Sequence, residues 1–232
     1  MGAMLEIDRI VFIGRTFQEY TSMFNLKRTD LQGKMILDCA SGACSFTAHA
    51  NKLGATAMAC DMAYEFDTEM LAKKGLEDID HTMEKMRDVA EQVAEQYDWT
   101  YFQDVKGLKK ERTKAFYDCI QDMRIHPYRY LYGKLPHLPF EDKQFDLTLS
   151  AHLLFTYDDR LDYQFHLQSL KELIRVTKSE IRLFSLSNLS GKRSRFVDQL
   201  KEDLLPEVRA IEEQEVSYKF QRGAQTMMRI IL

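Results

Sequence analysis

Two short apolar runs, each ending in a carboxylate, constrain the fold of this chain most strongly. Residues 36–38 end at an aspartate, pass through the small residues 39–45 and enter an amphipathic segment near Phe46, whereas residues 57–60 lead into Asp61. Strand, small-residue turn, helix, strand and acid form the order of a nucleoside-binding βαβ unit, in which turn amides approach the ligand and the second acid accepts ribose hydroxyls. The alternative is an ordinary βαβ crossover in which Asp61 caps a helix.

The first of these segments resembles the first motif of class I S-adenosylmethionine-dependent methyltransferases. Residues 138–150 resemble a second segment of that family, with Leu-Pro-Phe, a turn and Phe-Asp before a strand, and residues 170–187 resemble a third. The resemblance covers roughly residues 35–62 and 130–187. It implies an α/β fold with a Rossmann-like, doubly wound sheet of seven strands, mostly parallel and ending in a C-terminal antiparallel hairpin.

The resemblance also implies S-adenosylmethionine as the cofactor and methyl transfer as the activity. It maps Asp38 near the methionine part of the cofactor and Asp61 on the ribose hydroxyls. Arg15 and Tyr20 are candidates for holding the methionine carboxylate, because arginine meets a carboxylate in a bidentate fork; a solvated arginine and a core tyrosine are the alternative. The predicted cofactor contacts are Asp38, Ala40, Ser41, Gly42, Asp61, Met62, Ser150, Ala151, Arg15 and Tyr20.

Several positions depart from the family pattern. Ala40 and Cys44 replace two of the three loop glycines, and only Gly42 remains. Lys134 aligns with the acid that often touches the adenine amino group. These changes weaken known cofactor contacts, so they favour a second hypothesis, a non-catalytic binding or assembly module with the same fold.

The loop after the fourth predicted strand carries the candidates for acceptor chemistry. His152 is predicted to contact the substrate or accept a proton, and Tyr157 and Asp158 are predicted to shape the acceptor pocket; a structural histidine bonded to a neighbouring loop is the alternative. Residues 150–153 read Ser-Ala-His-Leu. They lack the acid-or-asparagine, proline, proline, aromatic loop of amino-methylating nucleic-acid enzymes, so a small-molecule acceptor is preferred.

One domain over residues 1–232 is predicted, with a helical N-terminal segment (1–33) that includes a helix over 16–31, and a helical insertion (65–126). The insertion is interpreted as a cap over the substrate pocket, and a homodimer interface is the alternative. Its first helix has apolar residues three and four apart, and its second stops before His126-Pro127. The apolar residues are Leu76, Ile79, Met83, Met86, Ala90, Val93 and Tyr97 in the first pattern, and Leu108, Phe116, Cys119, Ile120 and Met123 in the second.

The C-terminal part is predicted to contain helices over 162–176 and near 194–204, followed by two strands. Val216, Tyr218 and Phe220 alternate before a turn at Arg222-Gly223, and an alternating apolar run follows it. This run comprises Met228, Ile230 and Leu232. A period of two over such short runs predicts a hairpin.

The charge and composition of the chain limit the classes of binding partner that we expect. The formal net charge is −4, so a broad nucleic-acid or anionic-membrane surface is not expected, and the basic residues of 106–114 and 192–195 are interpreted as solvated. No apolar stretch approaches the roughly 20 residues that span a bilayer, and no secretory signal is recognised, so a cytoplasmic protein is expected. The four cysteines lack paired-ligand spacing and are interpreted as buried reduced thiols without a metal.

Overall fold

The computed structural model describes residues 11–88 and 94–232. Its central element is one mixed sheet of seven strands. Its strands are β1 (Met35–Cys39), β2 (Thr56–Asp61), β3 (Tyr130–Tyr132), β4 (Phe145–Ala151), β5 (Thr177–Phe184), β6 (Ala210–Glu215) and β7 (Thr226–Ile231). They lie in the order β3-β2-β1-β4-β5-β7-β6. Strands β1 to β5 are parallel to one another, and β7 is antiparallel to both β5 and β6. The predicted fold class is therefore confirmed.

Helices cover both faces of this sheet. They are α1 (Phe17–Met23), α2 (Arg28–Leu31), α3 (Phe46–Lys52), α4 (Thr68–Asp88), α5 (Val105–Ile125), α6 (Tyr163–Val176) and α7 (Val197–Leu204). Ile36 and Leu37 are successive residues of β1, and they belong to different buried clusters because neighbouring strand residues face opposite sides. Strands buried on both faces read as continuous apolar runs, which is why β1 is visible in the sequence.

The N-terminal segment contains two short helices, so the prediction of one helix over 16–31 is wrong in detail. Thr16 caps α1 in a capping box with Glu19. The chain then breaks at Asn25, which has a left-handed φ of 47° before α2 begins at Arg28. Asparagine tolerates that conformation better than most residues, and the break ends the helix.

Helices α4 and α5 fill the segment between β2 and β3, as predicted. Ile79, Met83 and Met86 are buried on α4, and the apolar positions predicted for α5 are buried as well. Leu76, however, is 38% exposed, and Gly75 takes the inner position because a side chain there would meet the ring of a buried phenylalanine. Two other predicted positions, Ala90 and Val93, lie outside the described residues.

The C-terminal hairpin is present, but its first strand lies earlier than predicted. β6 ends at Glu215, and residues 216–225 form the loop that joins it to β7. Val216 and Tyr218 are buried in this loop, so their alternation reflects packing against the body of the protein rather than strand pairing. No helix within the described ranges combines the length and the apolar character needed to cross a membrane.

Candidate functional site

A cavity of about 480 Å³ lies at the carboxyl ends of β1, β2 and β4. Parallel strands bring the loops that follow them to one edge of the sheet, and ligands of open α/β sheets bind there. The volume is within the range of small-molecule sites. Most of the predicted site residues line the cavity together: Arg15, Ala40, Ser41, Gly42, Asp61, Met62, Ala151, His152 and Tyr157.

Gly42 shapes the loop between β1 and α3. Its φ of +56° is left-handed, which glycine adopts without the steric cost of a side chain. The Gly42 amide donates to Asp61 Oδ2 over 2.8 Å, and its carbonyl accepts from the Tyr64 hydroxyl over 2.7 Å. The loop is therefore fastened to the end of β2.

Asp61 is both a cap and a wall of the cavity. Its Oδ2 accepts the Gly42 amide and its Oδ1 accepts the Ala63 amide over 2.9 Å, so the helix-cap alternative describes part of its role. Burial raises the pKa of this carboxyl, and the amides of Ala63 and Gly42 oppose that rise. A carboxylate oxygen has two lone-pair sites, so each oxygen retains one for a ligand hydroxyl.

Asp38 and Tyr20 bond to each other beneath the loop, and neither is among the residues that line the cavity, so their cofactor contacts stay predictions. Asp38 is fully buried; its Oδ1 accepts from the Tyr20 hydroxyl over 3.0 Å and its Oδ2 from the Ser41 hydroxyl over 2.7 Å. Burial raises the pKa of Asp38 to about 7 against these two hydrogen bonds, with a smaller upward contribution from Asp61. The ring of Tyr20 stacks on Phe46 with centroids 5.3 Å apart, which is the packing that the core alternative expects.

Two further predicted residues lie away from the cavity wall. Ser150 is buried within β4. Asp158 is buried after the β4 loop, and its carbonyl accepts from Arg195 Nη2 over 3.0 Å. The preceding residue on that loop, Tyr157, does line the cavity.

The segment before α1 crosses the β1 loop at close range. The Arg15 amide donates to Cys44 Sγ over 3.2 Å, and the Arg15 carbonyl accepts the Ser45 amide over 3.0 Å. Gly14 permits this approach, because a Cβ there would stand 2.0 Å from the backbone of Ala43. The sequence prediction missed Gly14, although a lone glycine in an extended apolar run indicates a close backbone approach.

Arg15 itself has an unsatisfied donor at the cavity. Its side chain lines the wall, and its buried Nε has no hydrogen-bond partner among the described residues. A buried donor without a partner carries a desolvation cost, so a bound acceptor such as a carboxylate would stabilise it.

His152 presents the second unsatisfied nitrogen. Its Nε2 is buried without a hydrogen-bond partner among the described residues, while its ring stands edge-on to Phe184 at 5.3 Å. Burial lowers the pKa of His152 far below its usual value, and the positive charges of Arg15 and Arg112 lower it further. The imidazole is thus neutral at neutral pH, and His152 is one of the residues that line the cavity.

A buried ion pair joins three distant parts of the chain beside the cavity. Arg112 of α5 is 2% exposed, and its Nη1 donates to both oxygens of Glu19 of α1, over 2.8 and 2.7 Å. The Tyr218 hydroxyl donates to Glu19 Oε1 over 2.9 Å. The prediction that the 106–114 basic run is solvated is therefore wrong at Arg112, which lies one helical turn from both Leu108 and Phe116 and shares their inner face.

A cluster of aromatic side chains forms another part of the cavity wall. The ring of Phe220, in the loop before β7, lies 4.8 Å from those of Tyr97 and Phe102 and 5.3 Å from that of Trp99. The Phe220 carbonyl accepts the Asp98 amide over 2.7 Å. Tyr97 and Phe220 line the cavity, so the β6–β7 loop and the segment before α5 form part of its wall.

The four cysteines are buried free thiols, as predicted. Cys44 lines the cavity, where the resembled family has a glycine. Within residues 11–88 and 94–232, no cluster of side chains has the composition of a metal site.

Comparison with known proteins identifies a full-length relative. The chain is 33% identical over 224 residues to the uncharacterized protein MJ0045 of Methanocaldococcus jannaschii, with 97% of each chain covered. The chain belongs to the same family as that protein. No protein-family model matches it.

Solved structures similar to this chain include S-adenosylmethionine-dependent methyltransferases. Phosphoethanolamine N-methyltransferase 1 of Haemonchus contortus, solved with phosphoethanolamine and S-adenosylhomocysteine, has a TM-score of 0.50 at 15% identity over 93% of this chain and 42% of that one. An S-adenosylmethionine-dependent methyltransferase of Aquifex aeolicus has a TM-score of 0.47 at 14% identity, with 92% of each chain covered. The chain therefore has the class I methyltransferase fold, as the sequence motifs predict.

Proposed function

We propose that this protein binds S-adenosylmethionine in the cavity and transfers its methyl group to a small-molecule acceptor held in the same cavity. One observation carries the proposal. Gly42, Asp61 and His152 come from separate stretches of the sequence, and all three line one cavity at the carboxyl ends of the parallel strands.

The unsatisfied groups of the wall fit the cofactor. Asp61 would accept the two ribose hydroxyls on its remaining lone pairs, and Arg15 would meet the methionine carboxylate through its unpartnered guanidinium nitrogen. The backbone of Ala40, Ser41 and Gly42 would pack against the methionine end, with Met62 and Ala151 completing the wall.

S-adenosylmethionine supplies an electrophilic methyl group when bound. The residues of the chain then have to orient the acceptor in line with that group and exclude water. Side chains from α4, α5 and the β6–β7 loop enclose the cavity, which supports the role of residues 65–126 as a cap. Enclosure and the net charge of −4 favour a small molecule over a nucleic acid as the acceptor.

A non-catalytic binding module is the second candidate. Ala40 and Cys44 on the cavity wall favour it, because the resembled family has glycines at these positions. Such a module would bind the cofactor without consuming it, so conversion of S-adenosylmethionine to S-adenosylhomocysteine separates the two functions. A homodimer through the insertion and a cytoplasmic location stay predictions.

Calorimetric titration with S-adenosylhomocysteine tests the proposal. We expect saturable binding to the wild type, and roughly tenfold or greater weakening by Asp61→Asn because two ribose hydrogen bonds to a charged oxygen lose strength. Asp67→Asn is the matched control, since Asp67 also accepts a helix-start amide, from Met70 over 2.9 Å, but is exposed and does not line the cavity. Wild-type protein that gives no binding heat would contradict the proposal.

A further inference from the structure

We propose that the acceptor is a neutral aromatic compound with a hydroxyl group, and that His152 accepts the hydroxyl proton during methyl transfer. This inference rests on the proposed function. It names the class of acceptor and the residue that meets its reacting atom.

Two unsatisfied polar atoms of the β4 loop indicate a hydroxyl group. His152 Nε2 and Thr156 Oγ1 are both buried without a hydrogen-bond partner among the described residues, and both residues line the cavity. Buried polar atoms in folded proteins are almost always satisfied, so a ligand is expected to complete them. A hydroxyl group has one donor and two acceptor sites, so it can donate to a neutral imidazole nitrogen and accept from a threonine hydroxyl.

The charges around His152 disfavour a cationic acceptor. The positive charges of Arg15 and Arg112 both lower the pKa of the imidazole. Of these two arginines, Arg112 donates hydrogen bonds to Glu19. A protonated amine would add a positive charge beside the cofactor sulfonium, which like-charge repulsion opposes. A neutral hydroxyl avoids that repulsion, and the neutral imidazole is ready to accept its proton.

The remaining wall favours a flat apolar body. Tyr97, Phe184 and Phe220 contribute aromatic rings, and Met83 and Met86 of α4 contribute flexible thioethers. Aromatic ligands pack against such rings in offset or edge-to-face arrangements, and methionine adapts to their outline. Lys74 of α4 also lines the cavity, and its ammonium group forms an ion pair with Asp78.

The proposed step balances in atoms and charge. A lone pair of the acceptor oxygen bonds to the methyl carbon, the methyl–sulfur bond breaks with its electron pair on sulfur, and the hydroxyl proton passes to His152 Nε2 and then to solvent. The positive charge on sulfur disappears as the imidazole becomes charged. Proton acceptance by this histidine is thus favoured at the moment when the neighbouring cation is lost.

Binding of small aromatic probes tests the acceptor class. The probes are 4-methylphenol, toluene and 4-methylbenzylamine, each titrated into protein saturated with S-adenosylhomocysteine. Trp99 is the single tryptophan of the chain and contacts Phe220 of the cavity wall, so its fluorescence reports occupancy. We expect 4-methylphenol to bind at least about tenfold more tightly than toluene, the order of one good hydrogen bond. It should also bind more tightly than the amine, because burial of an ammonium group without a charged partner carries a desolvation cost.

Variants of His152 test its role with S-adenosylmethionine and 4-methylphenol, with 4-methylanisole detected by mass spectrometry. His152 has a left-handed φ of 52°, which asparagine tolerates. Asparagine accepts a hydrogen bond but no proton, so His152→Asn should retain the preference for the phenol and lose about a hundredfold or more in methyl transfer. His49→Asn is the control, because His49 is bonded to Asp118 away from the cavity, and it should retain both properties.

The outcomes separate this inference from the proposed function. Equal binding of the phenol and toluene, or preference for the amine, with S-adenosylhomocysteine binding intact would overturn the acceptor class alone. Phenol binding without formation of 4-methylanisole, or an unchanged rate in His152→Asn, would overturn the proton-transfer step. Absence of S-adenosylhomocysteine binding would overturn the proposed function and this inference together.

Discussion

Removal of Arg112 should destabilise the protein far more than removal of a comparable surface arginine. Glu19 is 1% exposed, and Arg112 Nη1 bonds to both of its oxygens. The substitution Arg112→Met keeps an apolar stem on α5 but leaves a buried carboxylate without its cation. Breaking one partner of a buried pair costs about 3–5 kcal/mol, so we expect a loss of that order in the free energy of unfolding.

The double variant Glu19→Met/Arg112→Met sharpens this prediction. Replacement of both charges by apolar side chains removes the uncompensated carboxylate, and such replacements are often neutral or stabilising. We therefore expect the double variant to be more stable than Arg112→Met, with a coupling energy of about 2–3 kcal/mol, a size typical of residues in one ion-pair network.

Urea unfolding followed by circular dichroism measures these differences through the transition midpoint at constant slope. Arg124→Met is the matched control on the same helix, because Arg124 pairs with Glu69 while the two side chains are 49% and 70% exposed. Its loss in the free energy of unfolding should be much smaller than that of Arg112→Met, because an exposed ion pair is screened by solvent. A loss below about 1 kcal/mol for Arg112→Met, or additive losses in the double variant, would refute the view that this pair is a buried and mutually dependent unit.

Two further predictions concern the β1 loop. Burial raises the pKa of Asp38 from 3.8 to about 7 in the folded state. The stabilisation that a raised carboxyl pKa provides is complete only below the unfolded pKa and is lost as pH rises to the folded value. Wild type should therefore lose about 2–3 kcal/mol relative to Asp38→Asn between pH 5 and pH 8. Equal pH dependence of the two proteins in urea unfolding would show that Asp38 is not held protonated. Gly14→Ala should destabilise the protein by about 3 kcal/mol, the upper end of the range for overpacking, because its Cβ would stand 2.0 Å from the backbone of Ala43. A melting temperature equal to that of wild type would contradict the close crossing.

The sequence indicates the parts of the fold that depend on local pattern. Parallel strands buried on both faces read as apolar runs, and the loop at Gly42 needs a left-handed glycine, so β1, β2 and the turn between them are visible without coordinates. The helix over 163–176 is likewise visible, because Asp162 caps it and its apolar spacing is regular.

Long-range pairing explains most of the errors. No local sequence pattern indicates that the Tyr20 hydroxyl donates a hydrogen bond to Asp38, or that Arg112 is buried against Glu19. In each pair the two residues are separated along the chain. The alternation of Val216 and Tyr218 imitates a strand because a loop that packs onto the body can bury every second side chain. On α4 the apolar pattern is misleading in another way. Gly75, which leaves room for the ring of Phe116, lies on the buried face, and the neighbouring Leu76 does not.

A crystal structure of the protein with S-adenosylhomocysteine tests the central claim most directly. The account predicts that the ribose hydroxyl oxygens lie within about 3.2 Å of the carboxylate oxygens of Asp61. It also predicts that the amino-acid carboxylate lies at Arg15 and that the sulfur faces His152. Ligand bound elsewhere on the surface, or a cavity that stays closed while Asp61 keeps only the amides of Gly42 and Ala63, would contradict it.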